Sequence, residues 1–168
     1  MDIVAKVEIK AFREGAVIPM KATQGAAGYD LCACMPDNSN GLMIHPGNSL
    51  IVPTGLNVNI PEGYEIQIRP RSGLAAKHGV TVLNTPGTID CDYTGDGEDF
   101  ELKVILFNHN RMPFAINHGD RIAQMVVAKL AAHELVEVEE FNKQVKTTRK
   151  GGLGSTGKGA VAINVNGS

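Results

Sequence analysis

The chain has 168 residues, 43% of them hydrophobic, which suits one domain able to bury a core without metals or disulfides. Its 16 basic and 18 acidic residues nearly cancel and are mixed along the chain, so the electrostatic footprint of a nucleic-acid polymer binder is missing. Three cysteines, a C-x-C of Cys32 and Cys34 plus a distant Cys91, complete neither a disulfide framework nor a zinc pattern and suit a reducing cytoplasm.

In chain order, the first ten residues scatter charges and lack the apolar run of a signal peptide, and residues 6–10 alternate with period two like a strand. No stretch approaches the ~20 apolar residues needed to span a bilayer. Residues 26–31 read as a turn entering a strand, and residues 49–52, 56–60 and 64–68 as further strands, punctuated by His45-Pro46-Gly47, Pro53-Thr54-Gly55 and Pro61-Glu62-Gly63. A single helix is expected over Ser72 to His78, with Ser72 as its cap, a cation near its end and Gly79 closing it. Asn84 to Tyr93 reads as a β-hairpin, with Pro86-Gly87 at the centre of a type II turn. Residues 95–100 form an acidic loop, and residues 102–107 and 121–127 complete the strands, the second after the turn Asn117-His118-Gly119-Asp120. Strands of this spacing predict an all-β fold, an antiparallel sandwich or barrel. From about Asn142 the apolar rhythm stops, so residues 1–142 read as the domain and residues 143–168 as a mobile, Gly-rich C-terminal arm.

Two places carry more chemistry than their local structure needs. Arg69-Pro70-Arg71-Ser72-Gly73 puts guanidinium, hydroxyl and backbone N–H groups at a helix start, a plausible phosphate cradle; the plain alternative is a capped helix beside a solvated arginine. In the hairpin, Asp90, Asp92 and Tyr93 offer carboxylates and a ring able to hold a small ligand and activate a water, although Asp is common in turns and Tyr in strands. Strict strand alternation sends Asp90 and Tyr93 to opposite faces, in tension with a shared ligand. The tail nearly spells a P-loop with Gly152, Gly157 and Lys158, but Gly159 stands where Ser or Thr is required and no strand–helix context surrounds it.

Five ordered segments resemble the motifs of the homotrimeric dUTPases: Ala27-Gly28-Tyr29-Asp30-Leu31, Pro70-Arg71-Ser72-Gly73-Leu74, Gly87-Thr88-Ile89-Asp90-Cys91-Asp92-Tyr93, Arg121-Ile122-Ala123-Gln124, and residues 151–157. The resemblance implies a distorted jelly roll and hydrolysis of dUTP to dUMP and pyrophosphate, keeping uracil out of DNA and supplying dUMP for thymidylate synthesis. It implies that Asp90 deprotonates the attacking water, leaving Asp92 a structural or solvent-facing residue. Uracil would be received by Asn84, Thr88 and Ile89, the deoxyribose would lie against Tyr93, and Leu153 would cover the base. Arg71, Ser72, Gly73 and Gln124, with Arg149, Ser155 and Thr156 of the arm, would bind phosphates. Mg²⁺ would be held mainly by the substrate, with Asp30 touching it through water. Partners would be dUTP and two further copies of the chain, with sites shared between subunits.

The chain departs from that pattern in places. Leu153 stands where the family has a stacking Phe, Arg149 lies one residue closer to Gly151 than usual, and the loop of residues 95–100 is longer and more acidic. Two other functions compete. A dCTP deaminase of the same fold would have a second Ser and a later Arg where this chain has Gly73 and Lys77. A non-catalytic jelly-roll module would use the acidic loop as a contact surface.

Overall fold

The structure is a computed structural model that describes residues 4–36 and 41–142. The chain divides into two units, Met1–Ala132 and His133–Ser168. Among the described residues every strand and helix belongs to the first, and residues 133–142 are exposed and without regular structure. Leu153, Arg149, Ser155 and Thr156, with the whole fifth motif, lie outside the described residues.

Eleven strands follow in order: β1 (Glu8–Ala11), β2 (Tyr29–Cys32), β3 (Leu42–Ile44), β4 (Ser49–Pro53), β5 (Leu56–Asn59), β6 (Tyr64–Arg69), β7 (Val80–Val82), β8 (Gly87–Ile89), β9 (Lys103–Asn108), β10 (Phe114–Ile116) and β11 (Arg121–Lys129). Helix α1 (Ser72–His78) separates β6 from β7, and a 3₁₀ turn spans Glu98–Phe100. All strand pairs are antiparallel, arranged as β2-β11-β6-β8, β4-β9-β7, β1-β5 and β10-β3. This is the expected all-β, jelly-roll-like architecture with one short helix.

Period-two alternation fills the core. β9 buries Val104 and Leu106 between solvent-side Lys103 and half-buried Ile105 and Phe107, and Ile66 and Ile68 of β6 do the same against Met125 of β11. Leu31, Ile44, Val52, Leu56, Leu102 and Ile116 close the cluster with no measurable exposure beyond 1%. A buried ion pair sits at its margin. The Glu101 carboxylate, 2% exposed, accepts hydrogen bonds from Arg13 Nη1 at 2.7 Å, Arg13 Nη2 at 3.2 Å and the Gly55 N–H at 2.7 Å. Burial works against the Arg13 charge, but the hydrogen bonds and field of Glu101 outweigh it and raise the guanidinium pKa above its ordinary value. Gly55 reaches the carboxylate from a backbone φ of 69°, a conformation costly for any other residue.

Two local expectations change. Ser72 does not cap α1: it is the first helical residue, and Arg71 occupies the capping position without a side-chain capping hydrogen bond. Gly79 does close the helix, at φ 64°, its N–H donating to Ala75 and Leu74 carbonyls. The second change concerns the segment from Asn84 to Tyr93, which is no paired hairpin. β7 pairs with β9 and β8 pairs with β6, so its two sides belong to different sheets. Gly87 lacks the positive φ that a type II turn demands and instead begins β8, after a cis Thr85–Pro86 peptide.

Candidate active site

The four-stranded sheet brings three distant segments together at one corner. Gln124 on β11 lies opposite Asp30 on β2 and Arg69 on β6. A register shift between Arg121 and Ala123 marks a bulge, which lets Arg121 turn toward the same corner. There the two Asp30 carboxylate oxygens are divided between two guanidiniums: Arg71 Nε donates to one at 3.0 Å and Arg121 Nη1 to the other at 3.1 Å. Arg71 Nη1 also donates to the Arg121 carbonyl at 2.9 Å. Gln124 Nε2 donates to the Pro70 carbonyl at 2.9 Å, tying the fourth segment to the second.

Gly28 is part of this arrangement for a steric reason. A Cβ there would lie 2.3 Å from Gln124 Oε1, so the amide occupies space that any other residue would fill. Ser72 and Gly73 are exposed in the first turn of α1, where backbone N–H groups have no intrahelical acceptor. Arg71, Arg121, Asp120, Leu74, Ile122 and Phe114 line a cavity of about 290 Å³ at the helix start. Arg71, Ser72, Gly73, Gln124 and Asp30 thus share one corner. Arg121 joins them although the sequence marked it only as a motif letter; the bulge that aims it leaves no local signature.

At the opposite corner, β8 ends at Ile89 and the chain turns. The Tyr93 N–H donates to the Asp90 carbonyl at 3.1 Å, and the Thr94 N–H to the Asp92 carbonyl at 2.9 Å. Because Asp90 opens a turn and does not continue the strand, alternation no longer separates it from Tyr93. Asp90, Tyr93, Thr88 and Ile89 line one cavity of about 270 Å³, walled by Ile51, Ile105, Lys103 and Glu101. Asp90 is exposed. Tyr93 is half-buried, its hydroxyl donating to the Glu101 carbonyl at 3.1 Å. Asp92 is exposed and is absent from the cavity wall. Asn84 is exposed and leans on Gly87, where a Cβ would meet its amide at 3.2 Å.

The two corners of one chain are far apart. Ile89 pairs with Ile66, and Arg71 lies five residues further along, about 16 Å in extended chain. Arg71 is drawn sideways to Asp30 on β2, three strand spacings or about 14 Å from β8. Asp90 and its own cradle are therefore separated by on the order of 20 Å. Among the described residues no group of three His, Cys, Asp or Glu side chains is placed to hold a metal. Cys32 sits beneath this corner, opposite Arg121 on β11; burial pushes its thiol pKa up and the Asp30 charge adds to the effect. No described helix is long and apolar enough to cross a membrane.

Comparison with known proteins identifies the family. The dUTPase family model matches residues 14–157. A deoxyuridine 5'-triphosphate nucleotidohydrolase of Beijerinckia indica subsp. indica is 51% identical over 152 residues, covering 89% of this chain and 89% of that protein. Its counterpart in Wolinella succinogenes is 50% identical over 153 residues, covering 91% of this chain and 95% of that protein. A mutant dUTPase of Staphylococcus bacteriophage 80alpha, with dUpNHpp, superposes with a TM-score of 0.75 over 91% of this chain and 99% of that one, which at 24% identity is a likeness of fold. The chain belongs to the dUTPase family.

Proposed function

We infer that the chain hydrolyses dUTP to dUMP and pyrophosphate by in-line attack of water on the α-phosphorus, limiting uracil in DNA and supplying dUMP. The observation that carries this reading is the turn after β8, which gives Asp90 and Tyr93 a common cavity in a chain half identical to curated dUTPases. β8 is an edge strand, so the main-chain groups on its outer side are outside the ladder and can pair with the edge of a base, as a neighbouring strand would. Uracil fits there with the Asn84 side chain, Thr88 and Ile89; a base with a different edge leaves buried polar groups unpaired. Tyr93 walls off the 2' position of the sugar. Asp90, exposed and in no salt bridge among the described residues, takes the proton of the attacking water.

Phosphates need the other corner. Arg71, Ser72, Gly73 and Gln124 present guanidinium, helix-start N–H groups and an amide, and Asp30 holds Arg71 in place. A separation on the order of 20 Å exceeds the reach of one triphosphate, so a cradle from a second copy serves the β8 turn of the first. That separation supports sites shared between copies of the chain, and the family resemblance makes the assembly a homotrimer. Arg149, Ser155 and Thr156 of the arm, residues 143–168, add phosphate contacts, and Leu153 covers the base. The donor set suits Mg²⁺ carried in by the phosphates: no carboxylate cage exists among the described residues, and each Asp30 oxygen, with one hydrogen bond taken, still has a lone pair for a metal-bound water. When bound, Mg²⁺ neutralises phosphate charge. The absence of a disulfide among Cys32, Cys34 and Cys91 suits a cytoplasmic enzyme.

The test is to incubate the protein with dUTP, dTTP, dCTP and UTP, with and without Mg²⁺, and to assay pyrophosphate and ammonia. Selective release of pyrophosphate from dUTP is expected, and Asp90→Asn should bind dUTP yet turn it over ~10²- to 10⁴-fold more slowly. Equal turnover of all four nucleotides would refute base recognition at the β8 edge. Ammonia from dCTP would favour the deaminase, and binding without turnover the non-catalytic module.

A further inference from the structure

We infer that the loop of residues 94–100 is a positioning element for Tyr93, and that Phe100 and Gly95 set how strictly the enzyme reads the sugar's 2' position. The inference rests on the reading of Tyr93 as the wall beside the deoxyribose. The family motifs give this acidic loop no task, and as a plain surface loop it would need neither an aromatic residue nor a buried anchor.

Phe100 is 37% exposed, yet its ring has a defined seat. It meets the Tyr93 ring edge-on, with centroids 5.8 Å apart and planes at 63°. Its other neighbour is Gly95, where a Cβ would lie 2.2 Å from Phe100 Cδ2 and 2.6 Å from Cγ. The Phe100 ring therefore fills the volume that a side chain at position 95 would take. Tyr93 is held a second time by the same stretch of chain, since its hydroxyl donates to the carbonyl of Glu101, the next residue. The ring contact and the hydroxyl anchor move together if this stretch moves.

The stretch is fixed from beneath. Asn57, 3% exposed on β5, donates from Nδ2 to the Gly97 and Phe100 carbonyls, each at 2.9 Å, and accepts from the Gly97 N–H at 3.0 Å. A buried amide with all these bonds made holds a loop in one conformation, because releasing the loop leaves the amide unsatisfied. The surface ion pair Lys10–Asp96 at 2.9 Å adds little, being exposed on both sides. Rejecting a ribose takes a wall that does not yield; a tyrosine free to tilt by an ångström admits the extra oxygen. The chain Asn57, loop, Phe100, Tyr93 supplies that stiffness.

The experiment measures kcat/KM for dUTP, UTP and dTTP in the wild type, Phe100→Ala, Gly95→Ala, Phe100→Tyr and Tyr93→Ala, with folding checked by thermal melts. The preference for dUTP over UTP should fall about five- to tenfold in Phe100→Ala and Gly95→Ala, the scale of one lost aromatic contact. Preference for dUTP over dTTP, which reads the base, should stay unchanged, and Phe100→Tyr should keep the wild-type sugar preference. Gly95→Ala is the safer arm, because Gly95 has no positive φ and the atoms nearest the new methyl are those of the Phe100 ring. An unaltered sugar preference in both variants, with Tyr93→Ala altering it, overturns the inference and leaves the reading of Tyr93 standing. If Tyr93→Ala also leaves the preference unaltered, the reading of Tyr93 falls and the inference with it. Equal losses of sugar and base preference indicate general loosening and overturn it too.

Discussion

Replacing Arg13 with methionine should destabilise the protein far more than a surface substitution, because it strands the Glu101 carboxylate. That group is 2% exposed and takes three hydrogen bonds, two of them from Arg13. In the variant, among the described residues, the Gly55 N–H and Lys103 Nζ, 3.9 Å away, are left facing it. Arg13 is itself only 15% exposed, so water screens the pair weakly. Breaking such a pair costs about 3 to 5 kcal/mol. At about 2 to 4 °C per kcal/mol for a domain of this size, the melting temperature should fall by about 6 to 20 °C. Urea unfolding and thermal melts read the effect, at fixed protein concentration so that any self-association is the same in both proteins. Arg13→Met combined with Glu101→Gln should recover much of the loss, since the amide carries no charge to strand. A single-variant loss below about 1 kcal/mol, the level of an exposed pair, would refute the claim that this charge is buried and dependent on Arg13.

Gly28→Ala should displace the Gln124 amide from the Pro70 carbonyl, since the new methyl would sit 2.3 Å from Oε1, and raise KM for dUTP about two- to tenfold, the worth of one hydrogen bond; an unchanged KM would deny Gln124 a part in phosphate binding. Ellman's reagent should label partly exposed Cys91 before buried Cys32 and Cys34, and simultaneous labelling would contradict the burial. The Cys32 pKa is raised by folding, so the folded state holds that proton more tightly. Its contribution to stability is therefore intact below the ordinary thiol pKa of about 8.5 and declines as pH rises above it, which urea midpoints across alkaline pH would measure. Removing residues 143–168 should leave a folded core with little dUTP turnover, and full activity in that truncation would refute the closing arm.

Much of the fold was legible because its signals are local. The strands expected over residues 56–60 and 64–68 and the Gly79 closure of α1 appear in the structure within a residue or so of their expected places. The hairpin was read wrongly for a non-local reason. Pro86-Gly87 has the composition of a type II turn, but Gly87 is claimed by pairing with Ile68 of β6, and β7 by β9, so tertiary pairing overrode turn preference. The tension between Asp90 and Tyr93 had the same root: alternation was extended past Ile89, where the ladder stops and a turn begins.

By itself the sequence determined which chemical groups are present and in what order: the five motifs, the all-β rhythm and the absence of a nucleic-acid footprint are written in residue identity and spacing. Only the tertiary structure decided which of those groups meet. Asp30, Arg71, Arg121 and Gln124 converge because β2, β11 and β6 are neighbours in one sheet, a matter of long-range pairing that no local window contains. The same sheet order sets Asp90 on the far side of β6, on the order of 20 Å away, and so separates in one chain the residues that the proposed function joins in one site.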